Sequence, residues 1–137
     1  MVAAANRRDR AHGLAAVLVT ELGRELVVPG PVLVEVDQLL RARVGGRSAR
    51  LFLDALAAGE HAVAFLSAGL MRRAIEFDAR FANLDLGFVD GCVMAIAEQM
   101  RAPILTFDFE HFRATRPRRG FWQLVVDEAR YAAATSA

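Results

Sequence analysis

LDLGFVDGCVMAIAEQMRAPILTFDFEHF, residues 84–112, is the stretch whose reading decides the fold. After the loop Leu84 to Gly87, the run Phe88 to Arg101 has the apolar spacing of a helix, and Asp90 falls in its first turn, where the helix dipole favours a carboxylate. Pro103 is expected to end that helix. Ile104, Leu105 and Thr106 form a short apolar run suited to a strand buried on both faces, and Asp108 follows directly, where the strand should open into a loop. In open α/β sheets this carboxyl end is where ligands bind. Two acids brought to one sheet edge repel each other, so a stable site needs a shared proton or a cation, and a divalent metal is the simpler answer.

The flanking segments repeat the alternation. An amphipathic helix carrying Ala11, Leu14, Ala15, Leu18 and Leu22 is expected after the apolar start Met1 to Ala5 and the polar turn Asn6 to Arg10, with Gly23 as its stop. Leu26 to Val28 reads as a strand. Pro29-Gly30-Pro31 turns the chain into a second helix, with Val32, Val36, Leu39 and Leu40 inward. Glu35 shares that apolar side and is expected to be more buried than Asp37, which can pair with Arg41. A third helix over Ser48 to Ala58, a strand over His61 to Leu66 and a helix capped by Ser67 follow. Arg113 to Arg119 is a basic loop, Phe121 to Val126 a last strand containing Trp122, and the Ala-rich end from Tyr131 to Ala137 is expected to fray. Strands alternating with helices imply a parallel sheet covered on both faces.

Composition narrows the function classes. The 137 residues, 55% of them hydrophobic, can bury the core of one domain, expected over about residues 6–126 with a frayed 127–137 tail. Formal charge is +1, so only local basic clusters can mark a polyanion partner. Cys92, the single cysteine, sits in an apolar helix and reads as an inert buried thiol. With no apolar stretch of about 20 residues and no signal peptide, the chain reads as cytoplasmic, with no membrane partner. His12, His61 and His111 lack metal-ligand spacing and read as ordinary, His111 beside Asp108 being the exception. Trp122 and the phenylalanines read as core.

Glu35 in VLVEVDQLL, Asp90 in LDLGFVDGCVMAIAEQM and Asp108 in ILTFDFEHF, in this order and spacing, resemble the PIN-domain ribonucleases, specifically the toxin half of VapBC-type toxin–antitoxin pairs. The resemblance spans Asn6 to about Val126. It implies a three-layer α/β/α sandwich with a central parallel sheet that gathers distant acids, binds Mg²⁺ or Mn²⁺ and cleaves single-stranded RNA. By position, Glu35, Asp90 and Asp108 would be three of those acids, converging on one metal, with Thr106 at the rim. Arg113, Arg116, Arg118 and Arg119 would contact RNA phosphates, since carboxylates alone repel RNA. The resemblance also implies a small antitoxin partner and a homodimer.

One departure accompanies the match. Family members open with a strand ending in an Asp that is the central ligand, and that strand and Asp are not found here; Asp9 lies in a turn and is no substitute. Two explanations are open, a start upstream of Met1 or a decayed copy, and the chain as it stands is expected to bind Mg²⁺ weakly and cleave little. The rival reading is a catalytically inert PIN-like module that docks antitoxin or RNA. A metal-dependent phosphatase of another α/β family is disfavoured because its nucleophile would need the same first-strand Asp. Oxygen ligands without a Cys/His cluster favour hard cations over zinc.

Overall fold

The structure, a computed structural model, describes residues 10–136. The apolar start and residues 6–9 of the polar turn, including Asp9, lie outside the described residues, as does Ala137. The described residues divide into two compact units, 10–64 with 132–136 and 65–131.

In the first unit, α1 (His12–Leu22) leads through a single 3₁₀ turn (Gly23–Glu25) to β1 (Val27–Pro29). α2 (Gly30–Arg43) follows with its proline in the first turn, where the missing N–H costs nothing. Gly45 then caps α3 (Gly46–Ala57), and β2 (Ala62–Ala64) returns to pair in parallel with β1, in the register Val27 to Ala62 and Val28 to Val63. A parallel pair needs a long crossover, here supplied by the two helices between the strands. Val36, Leu40 and Ala49 form the core between α2 and α3, with Val32 and Phe52 partly buried against it. The buried stripe of α2 therefore runs through Val32, Val36 and Leu40, four residues apart. Glu35 is exposed and Asp37 half-buried with Arg41 at 3.1 Å, the reverse of the expected burial, because the Glu35–Leu39 row lies at the rim of that stripe. His61 fixes its ring on the Gly23 carbonyl, Nδ1 to O 2.6 Å.

The second unit is organised on α4 (Ala68–Arg80) and α5 (Gly87–Met100). Ser67 caps α4 as its sequence position predicts, Oγ accepting the Leu70 N–H at 3.1 Å. The helices share a core of Ala74, Phe77, Cys92, Met94, Ala95 and Ala97, closed by Ile104 and Phe112. Burial pushes the Cys92 thiol up, as an inert cysteine requires. Close approach is possible because residue 91 is glycine: a Cβ there would stand 2.5 Å from the Ala74 carbonyl oxygen. Across the same interface Arg73 makes a two-pronged ion pair with Glu98, at 2.8 and 3.0 Å, and stacks over Phe77 at 4.1 Å. The Arg73 guanidinium, helped by the Arg118 N–H, holds the Glu98 carboxyl below the usual carboxylate range.

Several elements differ from the sequence reading. α5 ends at Arg101 in the left-handed conformation, φ 53°, two residues before Pro103. The expected strands at Ile104–Thr106 and Phe121–Val126 meet as one parallel bridge, Ile104 to Leu124: the Ile104 N–H donates to the Gln123 carbonyl at 2.8 Å and the Ile104 carbonyl accepts the Val125 N–H at 3.0 Å. After Asp108 the chain forms a short helix, α6 (Phe109–Ala114), where a loop was expected. The Ala-rich end is helical rather than frayed over α7 (Glu128–Thr135), because alanine is the strongest helix former and Asp127 accepts the Arg130 N–H at 2.7 Å to cap it. Tyr131 packs its ring on Phe107 and Phe109, with centroids 4.9 and 5.5 Å away.

Two outcomes test this packing. Gly91→Ala should destabilise the protein by roughly 1–3 kcal/mol, because a clash with backbone outweighs the gain of about 1 kcal/mol in helix propensity. Gly13→Ala, in a helix with open space around the new methyl, should be neutral or stabilising, and equal shifts in denaturant midpoint for the two would refute the close approach. Because the folded-state pKa of Glu98 is depressed, its contribution is full above the ordinary carboxylate range and is lost as pH falls from that range through the lower folded-state value. Glu98→Gln should therefore cost on the order of 1–3 kcal/mol near pH 7 and progressively less in acid, as urea melts across pH would read directly.

Candidate metal centre

Asp90 enters the site from the first turn of α5, where the unsatisfied N–H groups of the helix favour an anion. Asp108 arrives from the other side as the N-cap of α6. Its Oδ1 accepts the His111 N–H at 3.3 Å, and its own N–H donates to Thr106 Oγ1 at 3.0 Å. Thr106 thus fixes the backbone of Asp108, a tighter role than standing at a rim. That cap turns His111, three residues on, back over Asp108, so that His111 Nδ1 lies 2.7 Å from Asp108 Oδ2 and 3.3 Å from Asp90 Oδ2. One atom from each of the three side chains lies within 4.8 Å of the others.

The imidazole contacts are close but not well directed. Nδ1 is shielded from solvent and, despite the 2.7 Å approach, makes no aligned hydrogen bond, since the carboxylate lies off the line of the ring N–H. The shielded nitrogen thus lies close to two carboxylates, an arrangement that could hold a metal ion. Ligands held 2.0–2.1 Å from a shared Mg²⁺ stand about 3–4 Å apart, so the three side chains fit a small divalent cation with little adjustment. The two carboxylates suit Mg²⁺ or Mn²⁺, and the imidazole nitrogen favours the softer Mn²⁺ of the two.

The remaining sequence candidates are distributed differently. Glu35 lies on the exposed side of α2 in the first unit, a different unit from Asp90 and Asp108. Arg113 pairs with Glu128, and Arg116 donates to the carbonyls of Arg113 and Thr115 while its guanidinium lies 4.7 Å from the centre of the Phe121 ring. Arg118 and Arg119 are not beside the acids. They line a cleft of about 750 Å³ at the opposite, C-terminal end of α5, with Glu98, Arg101, Phe121 and Trp122. His111 is the member of the cluster that sequence reasoning undervalued. The usable signal was its position three residues after an acid that caps a helix.

Comparison with known proteins gives this geometry a family. Residues 1–117 match the PIN domain. Ribonuclease VapC26 of Mycobacterium tuberculosis (strain ATCC 25618 / H37Rv) is 29% identical over 110 residues, which cover 80% of this chain and 82% of that protein. The crystal structure of Mycobacterium tuberculosis VapC20, a sarcin-ricin loop cleaving toxin, superposes with a TM-score of 0.68 at 26% identity, covering 74% of this chain and 78% of that one. The α/β fold with parallel strands between helices, read first from the sequence, is the fold these proteins share, and the chain belongs to the PIN-domain family.

Proposed function

We propose that the chain is a metal-dependent endoribonuclease that hydrolyses single-stranded RNA and acts as the toxin of a VapBC-type toxin–antitoxin pair. The observation carrying this reading is the convergence of Asp90, Asp108 and His111 Nδ1 within 4.8 Å. Family membership and similarity to VapC26 and VapC20 support it, since both relatives are named for cutting RNA. A small antitoxin, a homodimeric state and a cytoplasmic location belong to the same reading.

Asp90 and Asp108 would hold Mg²⁺ or Mn²⁺, with His111 as the third donor from this unit and Glu35 as the further acid that the family pattern assigns. When bound, such an ion makes a coordinated water more acidic and offsets negative charge developing on the phosphate. The chain's own residues do the positioning. Thr106 Oγ1 holds the Asp108 backbone, and Asp108 in turn fixes the first turn of α6 and hence the His111 ring. That preorganisation keeps three ligand atoms on one point without help from substrate. Asp90 stands in the first turn of α5, whose N–H dipoles would also favour an approaching phosphate.

The test is RNA cleavage by the full chain with Mg²⁺, Mn²⁺ or EDTA. Activity should require the metal, and Asp90→Asn and Asp108→Asn should reduce it to background. His111→Gln should lower it by about 10–100-fold. Metal-independent cutting, or full activity in Asp90→Asn, would exclude this chemistry. Metal binding without cleavage would favour the inert module.

A further inference from the structure

The cleft at the C-terminal end of α5 is a second concentration of chemistry, on the same helix as Asp90 but roughly 15 Å further along it. Arg101, Arg118 and Arg119 are exposed there, and none of their side chains makes an ion pair with a described residue. The acid beside them, Glu98, is matched mainly by Arg73, with the Arg118 N–H and the Arg118 charge adding to the hold. The helix C-terminus contributes only about half a negative charge. Three guanidinium groups against one acid that Arg73 already pairs therefore leave the cleft cationic in a chain whose formal charge is +1. Arg101 also holds a left-handed backbone conformation, φ 53°, which glycine would adopt without steric cost.

Beside these arginines stands Phe121, 74% exposed, with the Arg116 guanidinium 4.7 Å from its ring centre. Its neighbour Trp122 is committed elsewhere, donating Nε1–H to Thr115 Oγ1 at 3.0 Å and packing on Phe77 and Phe112. Phe121 thus offers a flat ring, backed by a cation, next to exposed arginines whose side chains make no ion pair with a described residue. An exposed aromatic face stacks a base while arginines track the backbone, the combination by which proteins hold single-stranded nucleic acid. An acidic peptide would use the arginines and leave the ring without a role.

We propose that this cleft is a second RNA subsite, which grips the strand several nucleotides from the bond held at Asp90 and Asp108, with Arg101, Arg118 and Arg119 on phosphates and Phe121 under a base. The inference rests on the ribonuclease reading and adds to it where substrate length and context are sensed.

The test measures RNA binding by fluorescence anisotropy with full-length chains carrying Asp90→Asn so that the RNA survives. Lengthening the RNA from about 4 to about 12 nucleotides should tighten binding by the parent. In R101Q/R118Q/R119Q that gain should fall about tenfold or more, and the slope of log affinity against log salt should drop by about 2. Phe121→Leu, a surface change that leaves every cation in place, should weaken the longer RNA about fivefold or more, so the proposal stays falsifiable if the triple variant fails to fold. Parent-like binding of the longer RNA by both variants would overturn the proposal. So would loss of polyglutamate binding with RNA binding intact, which would mark an acidic protein partner. Failure of the two readings is separable: cleavage by the unmodified chain together with parent-like RNA binding in the variants sinks the subsite alone, whereas length-dependent RNA binding lost in the variants without Mg²⁺-dependent cleavage in the unmodified chain sinks hydrolysis and keeps the subsite.

Discussion

Like charges held side by side are the constraint on which the second unit depends. Two carboxylate oxygens within 4.8 Å repel by on the order of 3 kcal/mol at the effective dielectric of a protein surface. The fold brings Asp90 and Asp108 together nonetheless, one on the first turn of α5 and the other capping α6, and places the His111 nitrogen against both. Each acid is eased separately by helix N–H groups, which offset part of the repulsion. What remains is a point that favours a divalent cation.

The rest of the unit holds that point still. Gly91 lets α5 lie against the Ala74 backbone, one residue from Asp90, so the helix start is fixed by direct contact rather than by a flexible side chain. Arg73 and Glu98 lock the other end of α5 to α4, and Phe77, buried completely, fills the space between. Burial of a side chain that size contributes about 1.5–3 kcal/mol, more than an exposed ion pair such as Arg113 with Glu128 can add. Apolar packing therefore positions the helices, and the polar contacts set their register.

The acids were legible in the sequence because their signals are local. Gly87 before an apolar period of helix marks Asp90 as a first-turn residue, and Pro103 before Ile104 to Thr106 marks Asp108 as the residue where a buried segment ends. What failed needed longer-range information. FEHFRA spans fewer than two helical turns, too short for periodicity to declare α6, so the sequence places His111 beside Asp108 without marking it as a third donor to the acids. Glu35 shares a row with Leu39, and only packing against α3 shows that Val36 and Leu40 are the buried row instead. The basic segment read as one loop, yet its arginines divide between carbonyls and Glu128 near α6 and the cleft at the far end of α5, a separation that only the folded backbone shows. The Ala-rich end reads as a tail that frays because the rings of Phe107 and Phe109 that hold Tyr131 come from elsewhere in the chain.

The central claim is that Asp90, Asp108 and His111 form one divalent metal site, and Mn²⁺ titration followed by NMR tests it most directly, because the ion broadens signals according to their distance from it. Substoichiometric Mn²⁺ should selectively erase the resonances of Asp90, Asp108 and the His111 ring, with Asp108→Asn abolishing the effect at the same concentration. Broadening centred elsewhere, or unchanged in Asp108→Asn, would contradict a metal centre at this cluster.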